Sequence, residues 1–218
     1  MEKSAVAVID DDDSIRRSLP RLLSSKGYQV HAFGSAQEFL SSREVDAVAC
    51  VISDLKMPDL DGLQFQEALS AKRPDLSLVF ITGHGDVPAS VVAMKAGAVD
   101  FLEKPIKSTE LMGAIQRAIE RTDRLKTASA QTGQLKVRYA RLTPREREVF
   151  ALVAAGLLNK QIGAELGAAE KTIKQHRGRI MQKMEAESLA DLVVMAAALG
   201  VRPTGVDFSK AKGLVPSS

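Results

Sequence analysis

Reactive side chains follow several separate apolar segments in the first half of this 218-residue chain. Four consecutive aspartates, Asp10–Asp13, come directly after the first segment, and Asp54, Thr82 and Lys104 follow or end three later ones. Adjacent carboxylates repel one another and need a cation or a basic neighbour. Carboxylate oxygens suit Mg²⁺, and aspartate can act as a covalent nucleophile. These residue types predict a phosphoryl-transfer site with Asp54 as the acceptor.

The apolar segments predict a parallel sheet that would bring these residues together. Candidate strands cover residues 5–9, 29–33, 47–53, 76–82 and 99–102, and candidate helices cover residues 14–26, 36–41, 62–72, 87–96 and 108–127. The first, third and fourth strands are continuous apolar runs, as is typical of parallel strands buried on both faces. Five βα units favour an α/β doubly wound five-stranded parallel sheet, in which ligands bind at the carboxyl ends of the strands.

Five spaced motifs in residues 4–122 resemble the CheY-like receiver domain. They include Ile9-Asp10-Asp11, Asp54-Leu55-Lys56-Met57-Pro58, Thr82-Gly83-His84-Gly85 and Lys104-Pro105, and the stretch from Ile81 to Pro105 is similar to the FixJ group. The resemblance implies that Asp54 accepts phosphate from a sensor histidine kinase. It also implies Mg²⁺ as cofactor, with Asp11 and Asp54 as ligands, Asp10 acting through water and Lys56 offering its backbone carbonyl.

The same resemblance assigns roles to the residues around the acceptor. Thr82 and Lys104 would contact the phosphoryl group, and Phe101 would be the switch aromatic. The Lys104-Pro105 bond would be cis. For His84 the sequence leaves two interpretations open, an ordinary loop residue or a residue that modulates the lifetime of the phosphoryl group.

The second half of the chain differs from the first in charge. Residues 1–122 carry 14 basic and 18 acidic residues, a balance of −4, whereas residues 123–218 carry 16 and 9, a balance of +7. Residues 171–183 hold five basic side chains and no acid, while Ile173, Ile180 and Met184 recur on one helical face. This pattern predicts either a DNA-recognition helix or a solvated basic face.

Residues 140–201 resemble the LuxR-type helix-turn-helix, which favours the first interpretation. The motifs are Leu142-Thr143-Pro144-Arg145-Glu146, Asn159-Lys160-Gln161-Ile162 and Lys171-Thr172-Ile173-Lys174-Gln175-His176. The DNA contacts that the resemblance implies are Lys160, Thr172, Lys174, Gln175, His176 and Arg179. Two departures predict a less rigid turn. Ala168-Ala169 replaces the family's frequent apolar-serine pair, and Gly163 lies inside the supporting helix, at a cost of about 1 kcal/mol relative to alanine.

These observations predict two domains and a regulator that is not an enzyme. Residues 1–122 would form the receiver, 123–140 a linker into which the preceding helix can extend, 141–201 an all-α four-helix DNA-binding domain, and 202–218 a mobile tail. The predicted function is a two-component transcriptional regulator in which phosphorylation controls dimerisation and DNA binding. The expected partners are a sensor histidine kinase, promoter DNA, a second copy of the chain and RNA polymerase.

The rest of the composition favours a cytoplasmic protein. No stretch approaches 18 consecutive apolar residues, so no membrane span is expected. Residues 1–4 lead straight into an apolar run without the pattern of a signal peptide. Cys50 is the single cysteine, which precludes a disulfide within one chain.

Two other functions are compatible with part of the sequence. Asp11-x-Asp13 after a first strand superficially resembles the motif of aspartate-dependent phosphatases, but that interpretation leaves the Thr82 motif and the basic half unexplained. A receiver that serves only as an interaction module would not need the combination of the acidic pair with Asp54, Thr82 and Lys104.

Overall fold

A computed structural model describes residues 4–58, 60–83 and 87–202, except for the side chains of residues 87 and 88. The predicted loop residue His84 and the tail after Arg202 lie outside the described residues. The chain forms two compact units, Met1–Ser129 and Ala130–Ser218, and each is described by itself.

The first unit is built on a parallel sheet of five strands in the order β2-β1-β3-β4-β5. The strands are β1 Ala5–Ile9, β2 Gln29–Phe33, β3 Cys50–Asp54, β4 Ser77–Thr82 and β5 Asp100–Glu103. The helices that connect and follow them are α1 Asp13–Ser25, α2 Ala36–Ser41, α3 Glu44–Ala47, α4 Gly62–Lys72, α5 Val87–Lys95 and α6 Ser108–Ala140. This order confirms the predicted doubly wound fold.

Alternating strand residues supply the core on both faces of the sheet. On one face, Phe39, Phe65 and Phe80 pack together with no measurable exposure. On the other face, Ile52 and Leu111 lie in a second buried cluster. Burial on both faces explains why β1, β3 and β4 are apolar over most of their length. The sheet is therefore a rigid platform whose carboxyl edge presents Asp10, Asp54 and Thr82.

The predicted start of the third strand was wrong. Residues Glu44–Ala47 form the short helix α3, and the strand begins at Cys50 and extends to Asp54. Of the predicted strand, only Ala47 lies in α3, and residues 48 and 49 connect that helix to β3. The apolar run of residues 47–52 does not show where a helix ends and a strand begins.

Helix α6 continues past the predicted end of its helical pattern at residue 127. It runs without a break from Ser108 to Ala140 and crosses the division between the two units at Ser129. Residues 128–140 contain no proline and several good helix formers, so their small, polar composition does not stop the helix. The segment predicted as a linker is thus helical.

The second unit contains four further helices around one core. They are α7 Pro144–Ala154, α8 Asn159–Leu166, α9 Glu170–Met184 and α10 Leu189–Ala198. Thr143 and Glu146 form the predicted capping box at the start of α7. Phe150, Ile162, Ile173 and Ile180 are fully buried in this core.

Gly163 has a role that its helix propensity did not predict. A Cβ atom at this position would lie 2.6 Å from the carbonyl oxygen of Ala168 in the turn between α8 and α9. Glycine therefore permits the close approach of the turn to α8, a role that the predicted helix-propensity cost does not include. Ala169, at the N-cap of α9, makes no side-chain cap hydrogen bond.

We expect Gly163→Ala to destabilise the second unit by about 1–3 kcal/mol, because the new methyl group collides with backbone. The matched control is Gly178→Ala, also within a helix, where nothing lies within 4 Å of the added Cβ. That control should stabilise by about 0.5–1 kcal/mol through helix propensity alone. Amide hydrogen exchange in α8 and α9 measures both effects. Equal stabilisation by the two substitutions would show that the close approach does not constrain the turn.

Candidate functional site

The carboxyl edge of the sheet carries an ammonium held between two carboxylates. Lys104, just after β5, donates hydrogen bonds from Nζ to Oδ2 of Asp54 at 2.7 Å and to Oδ2 of Asp10 at 2.9 Å. Asp10 is fully buried, and Asp54 is 8% exposed. The remaining carboxylate oxygens are oriented by backbone. Oδ1 of Asp10 accepts from the amide of Asp12, and Oδ1 of Asp54 accepts from the amide of Lys56.

Burial and pairing act in opposite directions on these charges. Burial raises the pKa of Asp10 above its usual value, although the hydrogen bonds from Lys104 and Asp12 partly offset this. Burial alone would lower the pKa of Lys104, but its hydrogen bonds to Asp54 and Asp10 outweigh that effect and raise it. Lys104 is therefore a fixed positive charge at the site.

Three carboxylates at this edge have the arrangement of a cation site. Oxygen atoms of Asp10, Asp11 and Asp54 all lie within 4.8 Å of one another. Asp11 is exposed, so the group opens to solvent on one side. Hard oxygen donors with room for water fit Mg²⁺, which keeps several water ligands when it binds to proteins.

The structure also brings Thr82 and Phe101 to this part of the unit. Thr82 ends β4 with 1% exposure, and its carbonyl accepts from the backbone amide of Lys104 at 2.7 Å. Phe101 on β5 is half-buried, with its ring 6.5 Å from that of Phe80. The Lys104-Pro105 bond is cis, as the receiver resemblance implied.

In the second unit, the predicted apolar face of α9 is confirmed. Ile173, Ile180 and Met184 are fully buried. Five of the six predicted DNA contacts are exposed: Lys160, Thr172, Lys174, Gln175 and Arg179. His176 is half-buried, and its Nδ1 atom is buried without a hydrogen-bond partner among the described residues.

Two basic residues of α9 have structural partners that the sequence did not reveal. Arg177 donates to Oδ1 of Asn159 at 2.8 Å and so ties α9 to the start of α8. Lys183 donates to Oε2 of Glu146 at 2.6 Å and so ties α9 to α7. These pairs leave Lys171, Lys174 and Arg179 as the exposed cations of the helix.

Glu146 is the buried charge of the second unit. Its side chain is 3% exposed, and Oε2 also accepts from the amide of Thr143. Burial would raise the pKa of Glu146, but hydrogen bonds from Lys183 and Thr143 outweigh it and lower the pKa below its usual value of 4.5. A depressed pKa in the folded state means that the carboxylate stabilises the unit above pH 4.5. This contribution is lost as the pH falls below that value.

We expect Glu146→Gln to destabilise the second unit by about 1–3 kcal/mol at pH 7, because Lys183 is left without its buried partner. The same substitution should flatten the fall in stability below pH 4.5. The control is Glu148→Gln, which removes a carboxylate that is 53% exposed and paired with Arg145, and which should cost under about 1 kcal/mol. Hydrogen exchange in α7 and α9 against pH measures both. An equal loss in the two variants would contradict the structural role of Glu146.

Comparisons with known proteins match a family to each half of the chain. Residues 6–116 match the family model of the response regulator receiver domain, and residues 140–196 match that of bacterial regulatory proteins of the luxR family. The chain belongs to the response regulators. This response regulator combines a receiver with a LuxR-type DNA-binding domain, the arrangement of FixJ-like transcriptional regulators.

Similar proteins match the response regulator over nearly its whole length. Nodulation protein W of Bradyrhizobium diazoefficiens is 48% identical over 91% of this chain and 88% of that protein. Transcriptional regulatory protein FixJ of Rhizobium meliloti is 38% identical over 94% of this chain and all of that protein. Among solved structures, the response regulator StyR is 42% identical, with a TM-score of 0.74 over 90% of this chain and 99% of that one.

None of the helices in the described part of the chain combines the length and the apolar character that crossing a bilayer requires.

Proposed function

We propose that the carboxylate of Asp54 takes a phosphoryl group from a histidine of a sensor kinase. The observation that carries this is the contact of Lys104 with both Asp10 and Asp54 at the open edge of the sheet. An oxygen of Asp54 attacks phosphorus as the P–N bond breaks, and the imidazole leaves with the bonding electron pair. Lys104 then moves its hydrogen bonds from the carboxylate to the phosphoryl oxygens.

The residues around Asp54 would hold Mg²⁺ and the transferred group. Asp11 and Asp54 are proposed as direct ligands, with Asp10 acting through water and the carbonyl of Lys56 completing the protein donors. The ion would neutralise part of the phosphoryl charge. The hydroxyl of Thr82 would bind a phosphoryl oxygen of the modified Asp54.

The response to phosphorylation is proposed to pass from Thr82 to Phe101. Thr82 lies on β4 next to Glu103 of β5, and Phe101 lies two residues earlier on that strand. Movement of Thr82 toward the phosphoryl group would leave space for Phe101 to turn inward. The change is a shift between existing conformations, so a fraction of the unphosphorylated chain already adopts the active one.

DNA binding is assigned to the exposed face of α9 and the start of α8. Lys160 and Arg179 fit contacts to phosphate, while Lys174 and Gln175 fit contacts to base edges. A DNA contact by His176 would use Nε2, because Nδ1 is buried. Residues 1–122 and 141–201 are the proposed receiver and DNA-binding domains, in a cytoplasmic regulator that acts at promoters with RNA polymerase rather than as an enzyme.

A dimer is proposed as the tight DNA-binding form. Helix α10 buries Leu192 and Ala196 but leaves Leu189, Val193 and Val194 exposed by 44%, 41% and 68%. Such an apolar surface on a small domain fits a subunit contact. Two-fold pairing would present two recognition helices to half-sites about one helical turn apart.

Sedimentation velocity tests this dimer. With a small phosphodonor and Mg²⁺, we expect the sedimentation coefficient to change from that of a monomer to that of a dimer. The same mixture with a chelator in place of Mg²⁺ serves as the control and should remain monomeric. A phosphorylated chain that stays monomeric while it occupies a two-half-site operator would contradict the proposal.

A further inference from the structure

One face of α6 carries a regular apolar pattern beyond the receiver core. We call four residues of this face the linker stripe: Leu125, Ala128, Thr132 and Leu135. Their positions in the sequence increase by three, four and three. This alternation keeps side chains on one face of a helix, and it is the spacing with which two helices pack as a coiled coil. The helix is continuous through the whole stripe.

The linker stripe extends a pattern that is already buried at its start. Leu111, Ala114 and Ala118 occupy equivalent positions one or two heptads earlier and lie in the core of the first unit. Arg121, one heptad before Ala128, interrupts the apolar residues and donates to the carbonyl of Gly97. Leu125, in contrast, is 37% exposed, and Ala128 is exposed. The apolar pattern therefore outlasts the core that covers its first part.

The far end of the pattern is covered again. Tyr139, four residues after Leu135, packs against Phe150 in the core of the second unit, with ring centroids 5.5 Å apart. Thr132 and Leu135 are half-buried. A single chain thus leaves an apolar segment centred on Leu125 and Ala128 without full cover.

We propose that the linker stripe pairs with the same stripe of a second copy of the chain, in parallel and in register. This inference rests on the proposed dimer and adds a contact to it. In a parallel coiled coil, the positions that flank the stripe would bring Arg124 opposite Ser129 of the second copy, and Gln131 opposite Lys136. The parallel arrangement is the one in which receiver lies beside receiver and DNA-binding domain beside DNA-binding domain, as the proposed dimer requires.

Because the linker stripe is short, its pairing depends on prior pairing of the two receivers. About two heptads with alanine and threonine at core positions are too few to hold two free chains together. Pairing of the receivers would raise the effective concentration of one stripe near the other. The helices then associate in the phosphorylated dimer and separate in the monomer, so the stripe links the state of the receiver to the spacing of the two DNA-binding domains.

Disulfide cross-linking in the full chain tests the register. The native Cys50 is fully buried, and burial raises its pKa to about 12, so it does not react under mild oxidation. Ala128→Cys places a thiol on the stripe. The matched control Ala130→Cys places one two residues later, on the opposite side of the helix, and both alanines are exposed.

With phosphodonor and Mg²⁺, we expect oxidation to convert Ala128→Cys to a covalent dimer several-fold faster than Ala130→Cys. Without phosphodonor, both variants should react slowly. Equal rates in the presence of phosphodonor, with a dimer seen by sedimentation, would reject the linker pairing but leave the proposed dimer intact. A chain that stays monomeric under the same conditions would reject both.

A second pair of variants measures the contribution of the stripe without a cross-link. Leu125→Ala should raise the dissociation constant of the phosphorylated dimer about tenfold or more, because each dimer loses two leucine side chains from its interface. Val137→Ala removes a side chain that is more exposed, at 57%, but lies off the stripe. We expect no change in that control. An equal effect in both variants would contradict the proposed face.

Discussion

A single acyl phosphate per chain, on Asp54, is the expected product when the protein is incubated with a small phosphodonor and Mg²⁺. Asp54 lies at the carboxyl end of β3, where Lys104 and two further carboxylates converge on it. The linkage should be stable in acid and labile in base. Asp54→Ala should reduce labelling to background, because the attacking oxygen is removed.

The matched control for this result is Asp13→Ala. Asp13 belongs to the same run of four aspartates, but it begins α1, is exposed and pairs with Arg16 and Arg17. Its removal should leave the extent of labelling unchanged. Mass spectrometry of the intact chain and of its peptides measures both variants. Labelling of the Asp54→Ala protein at the level of the parent would refute the assignment.

The second large effect is expected on DNA binding through α9. A fragment of residues 139–218 should bind promoter DNA alone, with an affinity that falls steeply with salt. Each phosphate contact contributes about −0.9 to the slope of log K against log salt. Lys174→Ala should weaken specific binding by about five- to a hundredfold if the side chain reads a base, or lower the slope by about one contact if it binds phosphate.

Arg141→Ala provides the control for that substitution. It removes one exposed positive charge from the same fragment but lies between α6 and α7, outside the proposed DNA-binding face. Binding isotherms at several salt concentrations distinguish a local contact from a general loss of charge. A fragment with no affinity for any promoter DNA at low salt would refute the assignment of α9.

The fold of the first unit follows closely from the sequence because its buried strands are nearly uninterrupted apolar runs. Burial on both sheet faces leaves little ambiguity in such segments. Where the apolar signal is short, the sequence was not sufficient. Ala47, the last residue of α3, was assigned to the third strand because it begins an apolar run that continues into β3. The sequence left open how far α6 extends toward Ala140, because the small, polar residues of the linker are compatible with both a helix and a loop.

The candidate sites were predictable to different degrees. The convergence of Asp10, Asp54 and Lys104 follows from their places after parallel strands, since these strands end at one edge. The partners of basic side chains do not follow from any local pattern. Arg177 and Lys183 look like members of the basic face of α9 until their contacts with α8 and α7 are known.

Gly163 shows that a close contact between backbone segments is equally hard to predict from the sequence. Its cost as a helix residue can be estimated from the sequence, whereas the 2.6 Å approach of the Ala168 carbonyl exists only in the folded turn. Helix propensity is a property of a single position, but close packing depends on two segments that the sequence separates. Such contacts are therefore found only in the structure.

The most direct test of the whole account is a set of DNA-binding isotherms on an operator with two half-sites. They compare the full chain with its Asp54→Ala variant, each with and without phosphodonor and Mg²⁺. We expect the phosphodonor to tighten DNA binding by the unsubstituted chain about tenfold or more, which corresponds to an allosteric coupling of at least about 1.4 kcal/mol. Binding by the Asp54→Ala variant should not change. Equal tightening in both proteins, or no tightening in the unsubstituted chain once Asp54 is phosphorylated, would contradict the proposed control of DNA binding by phosphorylation.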